Sequence, residues 1–293
     1  MGPGLIVNAD DLGVDAATTR GIASAYRNGI VSSASLMVTT PAVEDAVATV
    51  RTTEMPVGLH LSLTQGRAIV GPRLTRLVDE TGRFKLRARD FITARRQDVA
   101  LIEQIRAETR AQLTKALDLG LPLTHVDSHQ HVHMNPTIFR ILEDEASSFG
   151  IRRIRLSYEP LRFLWCAGRY LGMLERNNLS KWLVTRACAW QIGPRLDSPD
   201  FFFGVFHSGV IVKRVLINVL RAVPADRSVE ICIHPGLPDR PALPPGDDFA
   251  AFSASEYRRL EHDALVDAEV IELVAERGLL LRSFDGRVKS AST

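Results

Sequence analysis

The sequence has little cysteine, almost no net charge and no long apolar run. Cys occurs only at 166, 188 and 232, an odd set of three without CxxC spacing. That excludes a disulfide framework and a thiolate zinc site, and makes reduced, buried thiols in a cytoplasmic protein the expectation. Lys plus Arg number 36 against 34 Asp plus Glu, a net charge of +2. Such a balance excludes a strongly basic nucleic-acid binder. No window reaches the ~18 uninterrupted apolar residues of a membrane span. The most apolar long region, 161–192, is broken by Arg162, Arg169, Glu175, Arg176, Lys181 and Arg186. The opening MGPGLIVNADDLG has no basic stretch before an apolar run, so no signal peptide is expected. P-loop, GxGxxG and GxSxG motifs are absent as well, which removes the common phosphate-cradling loops and the nucleophile elbow.

What remains is an ordinary globular composition. The 293 residues are 45 % hydrophobic, enough to bury a core. Short apolar runs alternate with amphipathic stretches. Leu5-Ile6-Val7 reads as a buried strand, followed at once by Asn8, Asp10 and Asp11. A helix from about Asp15 to Asn28 ends at Gly29, and Ser33 to Thr39 is the next strand. Pro41 opens a helix at its first position, and Val57 to Leu61 is a third strand. Residues 64–96 read as loop, with scattered Gly, Pro and charge, including Arg87, Arg89, Arg95 and Arg96 as a solvated face. Val99 to Leu119 is amphipathic through Leu101, Ile105, Leu113 and Leu117. Leu123 to Asp127 is a strand, and Asn135 with Pro136 caps the following helix. Ile151 to Leu156, Phe201 to Phe206, Val229 to His234 and Leu279 to Phe284 complete the strands, with a helix from about Lys213 to Ala222. Ser253 and Glu256 form a capping box for a long helix to about Arg277.

Repeated strand-then-helix units predict an α/β fold with a parallel sheet. About seven strands suit a single (β/α) barrel domain over 1–293, with a helical excursion at 161–199 that holds all three Trp. A doubly wound open sheet is the competing architecture. Either fold binds ligands at the C-terminal ends of its strands. The polar residues fall there. Asp10 and Asp11 end the first strand, and His60 ends the third. His125, Asp127, His129, His131 and His133 surround the end of the fourth, and His234 ends the strand before Pro235-Gly236. One strand-end His is ordinary, and one Asp pair is an ordinary turn or cap. Agreement among separate strand ends predicts a common site.

Adjacent carboxylates at a strand end face different ways, so one can bind a metal while its neighbour stays free as a base. In HVDSHQHVHMNP the odd positions from His125 to His133 would share one strand face. They cannot all bind one ion, because a catalytic metal keeps about three protein ligands and an open position. Two imidazoles and a carboxylate make a conventional set, with Asp127 or His125 orienting a ligand imidazole from behind. Spacing alone does not choose among the histidines.

The segments LIVNADDLG, NGIVSSASLMV, VGLHLSLTQGR, LTHVDSHQHVHMNP, FHSG and ICIHPG run in order from residue 5 to residue 236. Together they resemble the YdjC-like carbohydrate deacetylases, the family of chitooligosaccharide deacetylase and the hopanoid-pathway deacetylase. The resemblance implies a TIM-like barrel with fewer than eight regular strands, often homodimeric, that hydrolyses the N-acetyl group of an amino sugar. It implies Asp11, His60 and His129 as metal ligands and Asp10 as base. His234, which matches an active-site position, is assigned here as general acid. Asn8, His125, Asp127, His131 and His133 remain as substrate-binding or supporting residues. The family is associated with magnesium, while a His-His-Asp set suits zinc, nickel or cobalt. One divalent ion is therefore expected, of unassigned identity. The expected substrate is an acetylated amino sugar, either a soluble oligosaccharide or a lipid-linked glycoside. A metallophosphoesterase or other amidohydrolase, and a non-catalytic sugar-binding barrel, are the rival functions. Acetate against phosphate as product separates the first pair.

Overall fold

The computed structural model describes residues 1–92, 97–167, 178–239 and 248–289. Six strands are assigned: β1 (Gly4–Leu12), β2 (Ser33–Leu36), β3 (Val57–Leu61), β4 (Leu123–Ser128), β5 (Phe201–Phe203) and β6 (Ser228–Ile233). They form one sheet in the order β4-β3-β2-β1-β6-β5, and every pairing is parallel. β1 and β6 are neighbouring interior strands and are buried almost end to end. A parallel strand covered on both faces has no solvent side, which is why these segments read as apolar runs.

The helices are α1 (Ala16–Asn28), α2 (Val43–Thr53), α3 (Ala88–Ile92), α4 (Val99–Asp118), α5 (Pro136–Ser148), α6 (Asn178–Ala189), α7 (Lys213–Ala222), α8 (Ala250–Ser253), α9 (Tyr257–Leu265) and α10 (Ala268–Glu276). Their starts follow local chemistry. Asp15 caps α1 by accepting from Thr18 N, and Asn135 caps α5 by accepting from Thr137 N and Ile138 N ahead of Pro136. The α4 helix buries Leu101, Ile105 and Leu113, and also Glu108 and Gln112. Those two polar residues grip the loop after β3. Gln112 bonds both backbone groups of Ser62, and Glu108 accepts from Ile69 N and Val70 N. The expected loop is therefore tied down by buried hydrogen bonds.

Several expectations need correction. Among the described residues six strands form, where about seven are expected. Ile151 to Leu156 and Leu279 to Phe284 enter only as isolated bridges, Val126 to Ile154 and Leu5 to Leu281. The first segment changes partners too soon to build a ladder. Arg155 N bonds Val126 O on one side, while Tyr158 O already accepts from Phe202 N of β5. The sheet is thus a curled half barrel whose edges are linked by single bonds. Pro41 precedes the start of α2, which begins at Val43. The Ser253–Glu256 capping box does not form. Glu256 stands at the cap position without a side-chain capping bond, its carboxylate paired with Arg259 instead, and Asp267 starts a fresh helix by accepting from Glu269 N. An Asp cap inside the pattern competes with helix continuation. The excursion at 161–199 contains a 3-10 segment at Leu161–Ala167 and α6. Its residues 168–177, like Arg95 and Arg96, lie outside the described residues. Trp182 packs with Phe202, Val205 and Phe206, whereas Trp190 is 74 % exposed.

Candidate functional site

The site starts with an irregularity in β1. Its pairing with β2 slips between Ala9 and Leu12, and Asp11 takes a left-handed φ of 66°. A bulge of this kind re-aims side chains. Asp10 and Asp11 both stay buried at the strand end but meet different partners. Asp11 Oδ2 accepts from Arg258 at 2.7 Å. Its Oδ1 lies 3.1 Å from His129 Nδ1 and 3.5 Å from His60 Nε2, yet among the described residues it receives no hydrogen bond. Asp10 is fully engaged. Arg155 donates to both its oxygens at 2.7 Å, Asn8 donates at 2.8 Å, and the Cys232 thiol donates at 3.2 Å.

The two site histidines are oriented from behind. Register sets His60 opposite Asp127, and His60 Nδ1 lies 2.7 Å from Asp127 Oδ1. Ser35 donates to Asp127 Oδ2 at 2.7 Å. The Nε2 of His129 meets Gln65 Oε1. With an ion bound, these contacts would keep Nδ1–H on His60 and Nε2–H on His129, and the nitrogens turned toward Asp11, His60 Nε2 and His129 Nδ1, would be the ones free to ligate.

The common strand face for the histidines is not found. β4 ends at Ser128, and His129–Met134 is a 3-10 turn in which Gln130 and His131 have φ of 55° and 56°. A strand face is lost at the first such residue. His125 lies under the site, stacked on Phe284 at 3.7 Å and bonded to Thr124 and Ser35. A Cβ on Gly58 would meet its ring at 2.4 Å, so only glycine fits there. His133 bonds Ser128 Oγ and Arg155 O, which makes it a tie within the turn. His131 meets Ser157 Oγ at 3.0 Å and Phe202 edge-on. His234 follows β6, and its backbone N donates to Glu261 at 2.6 Å.

Electrostatics separate these groups. Burial pulls His60 down, but Asp127, Asp10 and Asp11 outweigh it and raise its pKa to about 9. Burial opposes ionisation of Asp11, yet His129, Arg258 and His234 hold its carboxyl well below the usual range. Asp10 is also held low, chiefly by Arg155 against burial. Burial lowers His125 to about 3, and His133 and His234 to about 4. Neutral imidazoles of the last kind cost less to bury.

The donor set fits a divalent cation. Ligand atoms of Asp11, His60 and His129 lie within 4.8 Å of one another. A buried carboxylate oxygen without a donor and two imidazole nitrogens converge, and the carboxylates around them favour positive charge. Asp10 also belongs to acidic or thiol clusters with His60 and Asp127, and with Cys232 and His234. Its oxygens are already taken by Arg155, so the Asp11 set is the better candidate.

Sequence reasoning missed Arg155, Arg258, Gln65 and Glu261. Arg155 carries the densest network, with Asp127 at 2.9 Å and Glu230 at 2.6 Å besides Asp10. The one available signal was Glu230 as the lone charge inside the apolar run VEICI; Arg155 is one of three arginines in IRRIRL and does not stand out there. An apolar pocket of about 300 Å³ opens beside the His-rich turn, lined by Phe91, Ile92, Val132, Met134, Lys181 and Val184 among others. Asp11, His60 and His129 are not part of its lining.

Comparison with known proteins gives a consistent family. A carbohydrate deacetylase of Mus musculus is 33 % identical, covering 96 % of this chain and 94 % of its own. One of Geobacillus stearothermophilus is 32 % identical, covering 95 % and 96 %. A chitooligosaccharide deacetylase of Serratia marcescens is 31 % identical, covering 96 % and 97 %. A crystal structure from Enterococcus faecalis, named for cellobiose-phosphate cleavage, superposes with a TM-score of 0.70 at 25 % identity, covering 97 % and 98 %. The family described as YdjC-like protein matches residues 4–276, and with these relatives over nearly its whole length the chain belongs to that family.

Proposed function

We propose that this chain is a metal-dependent hydrolase that removes the N-acetyl group of an acetylated amino sugar and releases acetate. The observation that carries the reading is the convergence of Asp11 Oδ1, His60 Nε2 and His129 Nδ1 beside a second, ionised carboxylate, Asp10. Asp11, His60 and His129 would hold one divalent ion, which would polarise the amide carbonyl and acidify water. Asp127 and Gln65 keep the two imidazoles turned the right way. Arg155 keeps Asp10 charged. Asp10 takes a proton from water at Oδ2, where among the described residues the weak Cys232 thiol and Arg155 donate. His234 starts neutral, because burial lowers it to about 4. It therefore first accepts the proton that Asp10 has removed, their side-chain atoms lying within 4.8 Å, and then gives it to the departing amine, with Glu261 Oε2 3.9 Å from its Nδ1 to steady the imidazolium.

Acetate release from N-acetylglucosamine, short chitooligosaccharides and lipid-linked glycosides tests this, with chelator-stripped protein and added Zn²⁺, Mg²⁺, Co²⁺ or Ni²⁺. Metal-dependent release is expected. Asp11→Ala and His129→Ala are expected to abolish it. Asp10→Asn is expected to keep the ion and lower kcat by about 10²–10⁴-fold. Loss of the ion in Asp10→Asn would exchange the two aspartate roles. Bound metal with no acetate from any compound would favour a phosphoesterase or a binding protein.

A further inference from the structure

We propose that Arg258 sets the ion selectivity of the site by taking one of the two oxygens of Asp11. The inference rests on the metal reading above. The carboxylate of Asp11 is divided between two environments. Arg258 Nη2 holds Oδ2 at 2.7 Å, while Oδ1 is buried without a hydrogen bond and faces His60 and His129. The Asp11 carboxylate cannot readily turn, because it is wholly buried and Arg258 holds Oδ2. Arg258 is equally fixed. It is 2 % exposed, its Nη1 reaches Thr18 Oγ1 at 3.4 Å, and its carbonyl accepts from Gly236 N at 3.0 Å. The guanidinium thus comes from α9, on the far side of the sheet order from His60 and His129, and reserves Oδ2.

The consequence is chemical. A carboxylate offering one oxygen beside two imidazoles suits a small ion that accepts nitrogen ligands, such as zinc, cobalt or nickel. Calcium takes more oxygen ligands at longer distance and often uses both oxygens of one carboxylate. With Oδ2 committed to Arg258, that second oxygen is withheld. Arg258 is accordingly a positioning residue, acting through Asp11 rather than on the substrate.

The test is calorimetric titration of chelator-stripped protein with CaCl₂ and with ZnCl₂, for the wild type, Arg258→Met and Arg258→Lys. The readout is the ratio of Ca²⁺ to Zn²⁺ affinity, which general destabilisation would not move, because it weakens both ions together. Arg258→Met is expected to raise that ratio by about tenfold or more, the scale on which groups behind metal ligands act. Arg258→Lys, which still donates to Oδ2, is expected to stay near the wild-type ratio. If Arg258→Met does not give the wild-type circular dichroism spectrum, Arg258→Gln carries the same expectation in a smaller measure. An unchanged ratio in the folded neutral variant, with zinc still bound, overturns the selectivity role and leaves the metal site standing. A wild type that binds neither ion overturns both.

Discussion

Arg155 is the residue on which the buried charge of the site converges. It is wholly buried and touches Asp10, Asp127 and Glu230. Removing one member of such a group leaves the others uncompensated in a low-dielectric interior, which costs about 3–5 kcal/mol. Arg155→Met is expected to lose stability on that scale in urea unfolding, and to lose activity with it. A loss below about 1 kcal/mol would contradict the account, since it lies within the range of an exposed ion pair. The same guanidinium explains why Asp10, the expected base, is charged in a dry environment. Lys is not a substitute at this position, because only the planar fork of Arg reaches both Asp10 oxygens while meeting two other carboxylates.

At the scale of elements, the site depends on helices gripping the strand-end loops. α9 presents Arg258 to β1 and to Gly236, and Glu261 to His234 N and Ile211 N. α1 packs against the same loop from the other side. A Cβ on Gly21 would meet Gly236 Cα at 2.6 Å. The loop cannot retreat, because Leu237 N is bonded to Ala17 O and Gly236 N to Arg258 O. Gly21→Ala is therefore expected to cost about 1–3 kcal/mol through overpacking. Scanning calorimetry should show a lower Tm, and acetate assays a lower kcat, while zinc affinity is largely kept. That split follows because Gly236 is two residues from His234 in the chain, whereas it reaches Asp11 only through the Arg258 carbonyl and side chain. Equal loss of zinc binding and turnover would mean that the whole strand end moves as one unit.

For the whole molecule, buried titratable groups set the pH range of the metal-free fold. His125, His133, His207 and His234 are depressed to about 3–4 by burial, against an unfolded value of about 6.5. Their contribution is complete above about pH 6.5 and is lost as pH falls towards 4, because the unfolded chain then binds more protons. Glu159 and Glu230 are raised by burial to about 7. They act in the opposite sense between about pH 4.5 and 7, but are fewer. His60, raised to about 9, contributes stability below about 6.5 that is lost as pH rises through 9. The Tm of chelator-treated protein is thus expected to peak between about pH 6.5 and 7 and to fall on both sides. Saturating zinc should flatten the alkaline side, because a metal-bound His60 no longer titrates there. A Tm still rising from pH 7 to 9 without metal would contradict the charged state of His60.

Among the described residues no helix is long and apolar enough to cross a membrane, in line with the broken apolar region at 161–192. The sequence by itself determined the strand-helix alternation, the parallel sheet and the gathering of Asp10, Asp11, His60, His129 and His234 at one end. These follow from local periodicity and from the rule that parallel strands present their C-terminal ends together. It also carried the family, through motifs spread along the chain. Tertiary structure decided the rest. The His-rich run shows no sign of its left-handed turn, so its spacing could not separate His129 from His125 and His133; the family resemblance singled out His129, and the fold shows the other two as packing residues. Arg155 and Arg258 look like ordinary charges until long-range contacts bury them against Asp10 and Asp11, 145 and 247 residues away in sequence. A hydrogen bond across that distance leaves no periodic trace in the chain, because its two ends share no element.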